Sequence, residues 1–221
     1  MNREKLEVKG ILLDLDGTIV DSREAYLEAA KAAFATLGKE PPERRVALEI
    51  PKRLEQGLPI TDLVGTDVES FLEVYLNTYY AVTGTRTKPM PNVQTTLDTL
   101  SRRAKLALIT MRFVPKTAIA KELQQFGLTR FFTYIVTALD THKPKPSPEA
   151  LIKAVKALDV NLCSCAIVGD SVTDVQAGKS AGILTVAVLS GLFSRGELEL
   201  QKPDLILNDV TELPSFLHFS I

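Results

Sequence analysis

Short apolar runs that each end in a polar or acidic residue recur along the chain and set the first expectation of its architecture. Gly10-Ile11-Leu12-Leu13 runs into Asp14, Leu106-Ala107-Leu108-Ile109 into Thr110, and Ala166-Ile167-Val168 into Gly169-Asp170. Unbroken apolar runs of this length, bounded by turn residues, suit strands buried on both faces of a parallel sheet. Similar runs at 134–136, 185–188 and 205–207 supply three more. Helical patterns stand between them: one reaching Arg103, one over 115–126, one over 147–158, and one opening near Thr173 with Ala177, Ala181 and Gly182 as small packing positions. Strand alternating with helix is the signature of βαβ units, so an α/β fold with a doubly wound, Rossmann-like parallel sheet is expected.

The segment 20–85 breaks this rhythm. Asp21-Ser22 can cap a helix that runs to Leu37 and stops at Gly38. Pro41-Pro42 opens a second helix holding Arg44, Arg45, Val46 and Leu48, which Pro51 is expected to interrupt. A third pattern over 68–81 places Phe71, Leu72, Tyr75, Leu76 and Tyr79 on one apolar face, and Gly84 begins a polar stretch to Pro91. With no strand signal, this block reads as an α-helical cap domain of 20–85 inserted into a core made of 1–19 and 86–221.

Composition narrows the function classes. At 221 residues the chain can bury a sizeable core as one domain plus a modest insertion. Its net charge of −1 implies no nucleic-acid or other polyanionic partner. No stretch is apolar enough over the length needed to span a membrane, and the charged start Met1-Asn2-Arg3-Glu4-Lys5 lacks a signal-peptide core, so a cytoplasmic location is expected. Cys163 and Cys165 read as packing thiols on one side of a strand, because two ligands do not make a zinc site.

The strand ends carry the chemistry. Two carboxylates in Asp14-Leu15-Asp16-Gly17-Thr18, following a buried strand, are costly to desolvate and call for a strong partner such as a divalent cation. Asp170 and Asp174 suit a loop and the first turn of a helix, where both can face one ion. A hydroxyl at Thr110 and a Pro-stiffened basic loop, Lys143-Pro144-Lys145-Pro146-Ser147-Pro148-Glu149, complete what phosphoryl transfer asks for. The carboxyl ends of strands in an open α/β sheet are where ligands usually bind.

These four elements in this order resemble the motifs of the haloacid dehalogenase superfamily, in the branch with a helical cap just after the first motif, and phosphoglycolate phosphatases in particular. The flanking Val20-Asp21-Ser22 and the run Asp174-Val175-Gln176-Ala177-Gly178-Lys179-Ser180-Ala181-Gly182 agree. The resemblance implies that Asp14 is the nucleophile and that Asp16 is general acid and then base. It also implies that Thr110 and a lysine hold the transferring phosphoryl group, beside Gly17 and Thr18. Mg²⁺ would be held by Asp14 and Asp170 side chains, by the Asp16 carbonyl, and by Asp174 directly or through water. Oxygen-only ligands favour Mg²⁺ over zinc.

The Pro-rich loop offers both Lys143 and Lys145, and the Lys-Pro-x-Pro-acid pattern fits Lys145 better. Relatives often carry Asn after the threonine, whereas here Met111-Arg112 follow, so these two are candidate phosphate contacts. Arg53, with Lys52 beside it, falls where relatives place a cap loop that closes over the site. His142 borders the lysine loop, and neither it nor His218 is given a role.

Dehalogenases resemble the first motif without its second Asp, so Asp16 argues for phosphate-ester chemistry. Phosphonate hydrolysis in this superfamily uses a cap lysine. Lys31 stands in the first helix, but the text around it does not resemble that subgroup. The expected partner is a small phosphorylated metabolite, met by a monomer or homodimer. Pyrophosphatase or sugar phosphomutase activity on the same site, or a non-catalytic phospholigand-binding regulatory protein, are the alternatives.

Overall fold

The computed structural model describes residues 8–217. The chain forms two compact units, Met1–Ile19 with Pro89–Ile221 and Val20–Lys88. In chain order the elements are β1 (Gly10–Asp14), β2 (Val20–Asp21), α1 (Arg23–Thr36), α2 (Arg44–Glu55), α3 (Thr61–Val64), α4 (Val68–Arg86) and β3 (Lys88–Pro89). Then follow α5 (Val93–Ser101), β4 (Lys105–Ile109), α6 (Lys116–Gln125), β5 (Tyr134–Val136), α7 (Glu149–Leu158), β6 (Cys165–Gly169), α8 (Val172–Ala181), β7 (Leu184–Val188), α9 (Arg195–Leu200), β8 (Leu205–Leu207) and α10 (Leu213–Phe216).

Six strands form one parallel sheet in the order β5-β4-β1-β6-β7-β8. Ile11, Leu12 and Leu13 of β1 are fully buried, as a central strand covered on both faces requires. The chain winds outward from β1 through β4 and β5, then returns to the other side of β1 with β6. β1 is therefore the point where the winding reverses, and open α/β sheets bind ligands beside such a point, at the carboxyl ends of the strands. Register puts the polar residues together there: Asp14 lies opposite Ile109, the residue before Thr110, and Leu13 lies opposite Val168, two residues before Asp170. On one side of the sheet, Ala150, Leu151, Ala154 and Val155 of α7 and Ala177 and Ala181 of α8 pack with Leu12, Ala107, Ile109 and Ile167. Each large aliphatic side chain so buried contributes roughly 1.5–3 kcal/mol.

The second unit is helical. Ala25, Ala29, Ala30 and Ala33 of α1 let α4 approach closely, and Phe71, Tyr75 and Tyr79 fill the space. Tyr26 stacks on Tyr79 with ring centroids 4.9 Å apart, and Phe34 meets Phe71 edge-on at 5.2 Å. Contrary to the sequence expectation, Pro51 lies inside α2 rather than ending it. An interior proline costs about 3 kcal/mol, but Ala47 and Ile50 are buried in the core, and that packing carries the helix through. α4 likewise continues past Ala81 to Arg86 and includes Gly84. The Thr87 N–H then bonds the Thr83 carbonyl at 3.1 Å. Two residues of strand, Val20–Asp21, stand where the block was expected to hold none.

No helix among the described residues is long and apolar enough to cross a membrane. His218 and the charged N-terminal residues Met1–Lys5 lie outside the described residues. Of the two cysteines expected as packing thiols, one is buried and the other is not. Cys163 sits exposed in a one-turn helix, Leu162–Ser164, and Cys165 is buried as the first residue of β6.

Candidate active site

The site is built at the carboxyl ends of β1, β4 and β6, within one unit. Asp14 closes β1, Asp170 follows β6 directly, and Asp174 lies in the first turn of α8. All three are buried, at 6%, 5% and 1% exposure, and each offers a carboxylate oxygen within 4.8 Å of the others. Lys145 Nζ donates to Asp14 Oδ1 and to Asp174 Oδ1, both at 2.6 Å, and is itself buried. Three carboxylates and one ammonium leave an excess of two negative charges when all are ionised. Buried charge of that size needs a further cation, and an all-oxygen donor set suits a hard divalent one.

Local sequence explains the convergence. Asp174 is the third residue of α8, and its Oδ2 accepts the Ser171 N–H at 3.2 Å and the Ser171 hydroxyl at 2.6 Å. The Ser171 Oγ in turn accepts the Asp174 N–H at 3.2 Å. One oxygen of Asp174 thus closes a capping box while the other meets Lys145. The positive end of the α8 dipole faces the same cluster.

Asp170 is held from two sides: the Thr18 hydroxyl donates to Oδ1 at 3.4 Å and the Leu192 N–H to Oδ2 at 3.3 Å. Gly17 takes φ +80°, and a Cβ there would stand 2.5 Å from the Asp170 carboxylate. A Cβ on Gly191 would overlap the same carboxylate. The loop after β7, Ser190-Gly191-Leu192, was not singled out from the sequence, yet it lines Asp170, and the Ser190 hydroxyl bonds the Gly17 carbonyl at 2.6 Å. Its only sequence signal is Ser-Gly just past an apolar strand.

The lysine loop is anchored by Glu149, which accepts the His142 and Lys143 N–H groups at 2.9 and 3.0 Å. Those N–H groups, His142 first, hold the Glu149 carboxyl below the ordinary glutamate value. Lys143 itself is exposed, so of the two candidate lysines only Lys145 has its ammonium among the site carboxylates. Thr110 is buried, and its Oγ1 accepts the Arg112 N–H at 3.2 Å. Met111 is half-buried.

Asp16 is not one of the three grouped carboxylates. Its carboxylate takes Arg112 Nε at 2.8 Å and Nη2 at 2.6 Å, and Arg112 Nη1 donates to Glu122 at 2.6 Å. Arg112, expected as a phosphate contact, is therefore a buried guanidinium shared between two carboxylates, and Glu122 is a partner the sequence did not reveal. Arg53, expected as a substrate contact in the helical unit, is bound to Asp62 at 2.6 Å, to Glu49 at 3.3 Å and to the Pro59 carbonyl at 3.2 Å. Lys52 Nζ lies 3.9 Å from Glu49.

Residues 11–188 match the family described as haloacid dehalogenase-like hydrolase. The chain is 33% identical over 215 residues to pyrophosphatase PpaX of Halalkalibacterium halodurans, covering 94% of this chain and 96% of that one. It is 28% identical over 224 residues to a phosphoglycolate phosphatase of Psychrobacter arcticus, covering 94% of each. Its structure aligns with a haloacid dehalogenase-like family hydrolase from Streptococcus pneumoniae at TM-score 0.80 and 20% identity, covering 95% and 98% of the two chains. With a parallel sheet reversing at β1 and acids gathered at its carboxyl edge, the chain belongs to the haloacid dehalogenase-like hydrolases.

Proposed function

We propose that this protein is a Mg²⁺-dependent phosphatase of small phosphorylated metabolites, of the phosphoglycolate kind, acting through an aspartyl phosphate on Asp14. The observation that carries this reading is the division of labour among the acids. Asp14, Asp170 and Asp174 converge, whereas Asp16, two residues from Asp14, turns its carboxylate to Arg112. Binding alone would not call for a fourth carboxylate held apart.

Asp14, Asp170 and Asp174, with the Asp16 carbonyl, would hold Mg²⁺, which supplies the positive charge that lets an anionic nucleophile meet an anionic phosphate. An Asp14 carboxylate oxygen attacks phosphorus, and the bond from phosphorus to the leaving oxygen breaks. Asp16 gives its proton to that oxygen, and the alcohol departs. Water then attacks the same phosphorus and passes its proton to Asp16. The bond between phosphorus and Asp14 breaks, and phosphate leaves with the enzyme restored. Lys145 stands where charge gathers on the phosphoryl oxygens, and Thr110 offers a hydroxyl to one of them.

The relationship to pyrophosphatase PpaX favours a second reading, in which the leaving group is itself phosphate. Both readings share the covalent step. Rapid acid quench with a labelled substrate tests it: a phosphoenzyme that forms in the native chain and is absent from Asp14→Asn is expected. Turnover without any labelled protein would contradict it.

A further inference from the structure

The Asp16–Arg112–Glu122 chain has a use beyond packing. Arg112 grips both oxygens of Asp16 through Nε and Nη2, a planar two-point contact that fixes the carboxylate plane as well as its position. Its third donor, Nη1, is tied to Glu122 on α6. Both Arg112 and Glu122 are buried, at 4% and 6% exposure. The Arg112 N–H meanwhile bonds the Thr110 hydroxyl, so one residue links the ends of β1 and β4. A buried guanidinium between two carboxylates is expensive to assemble, and hydrophobic residues of similar volume often stabilise a fold as well or better.

We propose that Arg112 is a positioning residue for leaving-group protonation: its fork sets the plane of the Asp16 carboxyl, Glu122 holds Arg112 in place, and when Asp16 carries its proton one oxygen still accepts from the guanidinium while the other presents the proton to the departing oxygen. The proposal rests on the reading that Asp16 is the general acid and base. Misplacing such a group by about 1 Å costs about 10²-fold, so a loose Asp16 would protonate poorly even though present. The need falls on substrates whose leaving oxygen is strongly basic. A dinitrophenolate leaves without a proton; an alkoxide does not.

The test compares kcat/KM for an alkyl phosphate and for 2,4-dinitrophenyl phosphate in the native enzyme, Arg112→Ala, Arg112→Lys, Glu122→Gln and Asp16→Asn, all with Mg²⁺. This ratio reports the steps up to departure of the leaving group. Arg112→Ala is expected to lose about 10²-fold on the alkyl phosphate, of the order a general acid contributes, and little on the dinitrophenyl ester. Arg112→Lys, which keeps the charge and loses the fork, should fall between. Glu122→Gln should show the same selectivity in weaker form. Equal losses on both substrates would mean that Arg112 supports the fold and not the acid, and no loss on either would also overturn the proposal. If Arg112→Ala does not fold, the selectivity of Arg112→Lys and Glu122→Gln decides the matter on the same terms. Asp16→Asn separates the layers: a selective loss there with none in the Arg112 variants refutes this inference alone. No selectivity in Asp16→Asn refutes the acid–base reading and the inference with it.

Discussion

Lys145 Nζ lies 2.6 Å from Oδ1 of Asp14, a contact between residues 131 positions apart that ties the lysine loop to the end of β1. The same ammonium reaches Asp174, so it balances charge within the acidic group, and in the proposed reaction it would neutralise charge on the phosphoryl oxygens. Lys145→Ala should lower kcat by about 10²–10³-fold, the order found when a charge-stabilising donor is removed. Lys143→Ala, an exposed neighbour, should leave kcat near the native value. Steady-state assays of the pair check this, and equal losses would contradict the assignment.

Glu149 gives the loop a pH dependence. Its carboxyl titrates below the ordinary glutamate value because it accepts the His142 and Lys143 N–H groups. A group lowered in the folded state stabilises it fully above the unfolded value, and that contribution fades as pH falls through the folded value. Glu149→Gln should therefore flatten the acid limb of the stability profile near and below the glutamate range. Melting curves at stepped pH would show the two profiles converging at low pH and separated at neutral pH.

Gly191 has a direct geometric consequence, since any Cβ there would overlap the Asp170 carboxylate. Gly191→Ala should displace that carboxylate and weaken metal affinity or activity by about 10–100-fold, as changes around a metal ligand do. Mg²⁺ titration of activity reads it as a rise in the half-saturating concentration. An unchanged Mg²⁺ requirement would show that Asp170 is not positioned by this loop.

The thiols differ because burial pushes Cys165 up to about 11, while Cys163 is exposed. Only the thiolate reacts, so a disulfide reagent at pH 8 should modify Cys163 quickly and Cys165 slowly. After denaturation both should react together. Two fast equivalents in the native protein would contradict the burial of Cys165.

The strand ends were legible because parallel strands buried on both faces leave continuous apolar text, and acids placed directly after it stand out. The expected strand at 134–136 matches β5 and that at 205–207 matches β8. Pro51 misled because a local rule gave way to the burial of Ala47 and Ile50, which periodicity does not weigh. Arg112 could not be paired with Asp16 from sequence, because their hydrogen bond spans 96 positions; Glu122 stands only 10 positions from Arg112, but nothing in Met111-Arg112 says which way the guanidinium turns. The same holds for Gly191, whose value lies in what it leaves room for. Arg53 drew attention because it falls where relatives place a closing cap loop; its tie to Glu49 is an ordinary i,i+4 pair within α2, whereas its tie to Asp62 depends on α3, which has too few residues to leave a pattern.

The most direct test is phosphate release from phosphoglycolate, pyrophosphate, sugar phosphates and an aryl phosphate, with and without Mg²⁺, beside Asp14→Asn. The account predicts release that needs Mg²⁺, disappears with a chelator and is lost in the variant, with the substrate ranking separating the ester and pyrophosphate readings. Release that persists in a folded Asp14→Asn, or that is indifferent to Mg²⁺, would contradict the central role given to Asp14 and its neighbouring acids.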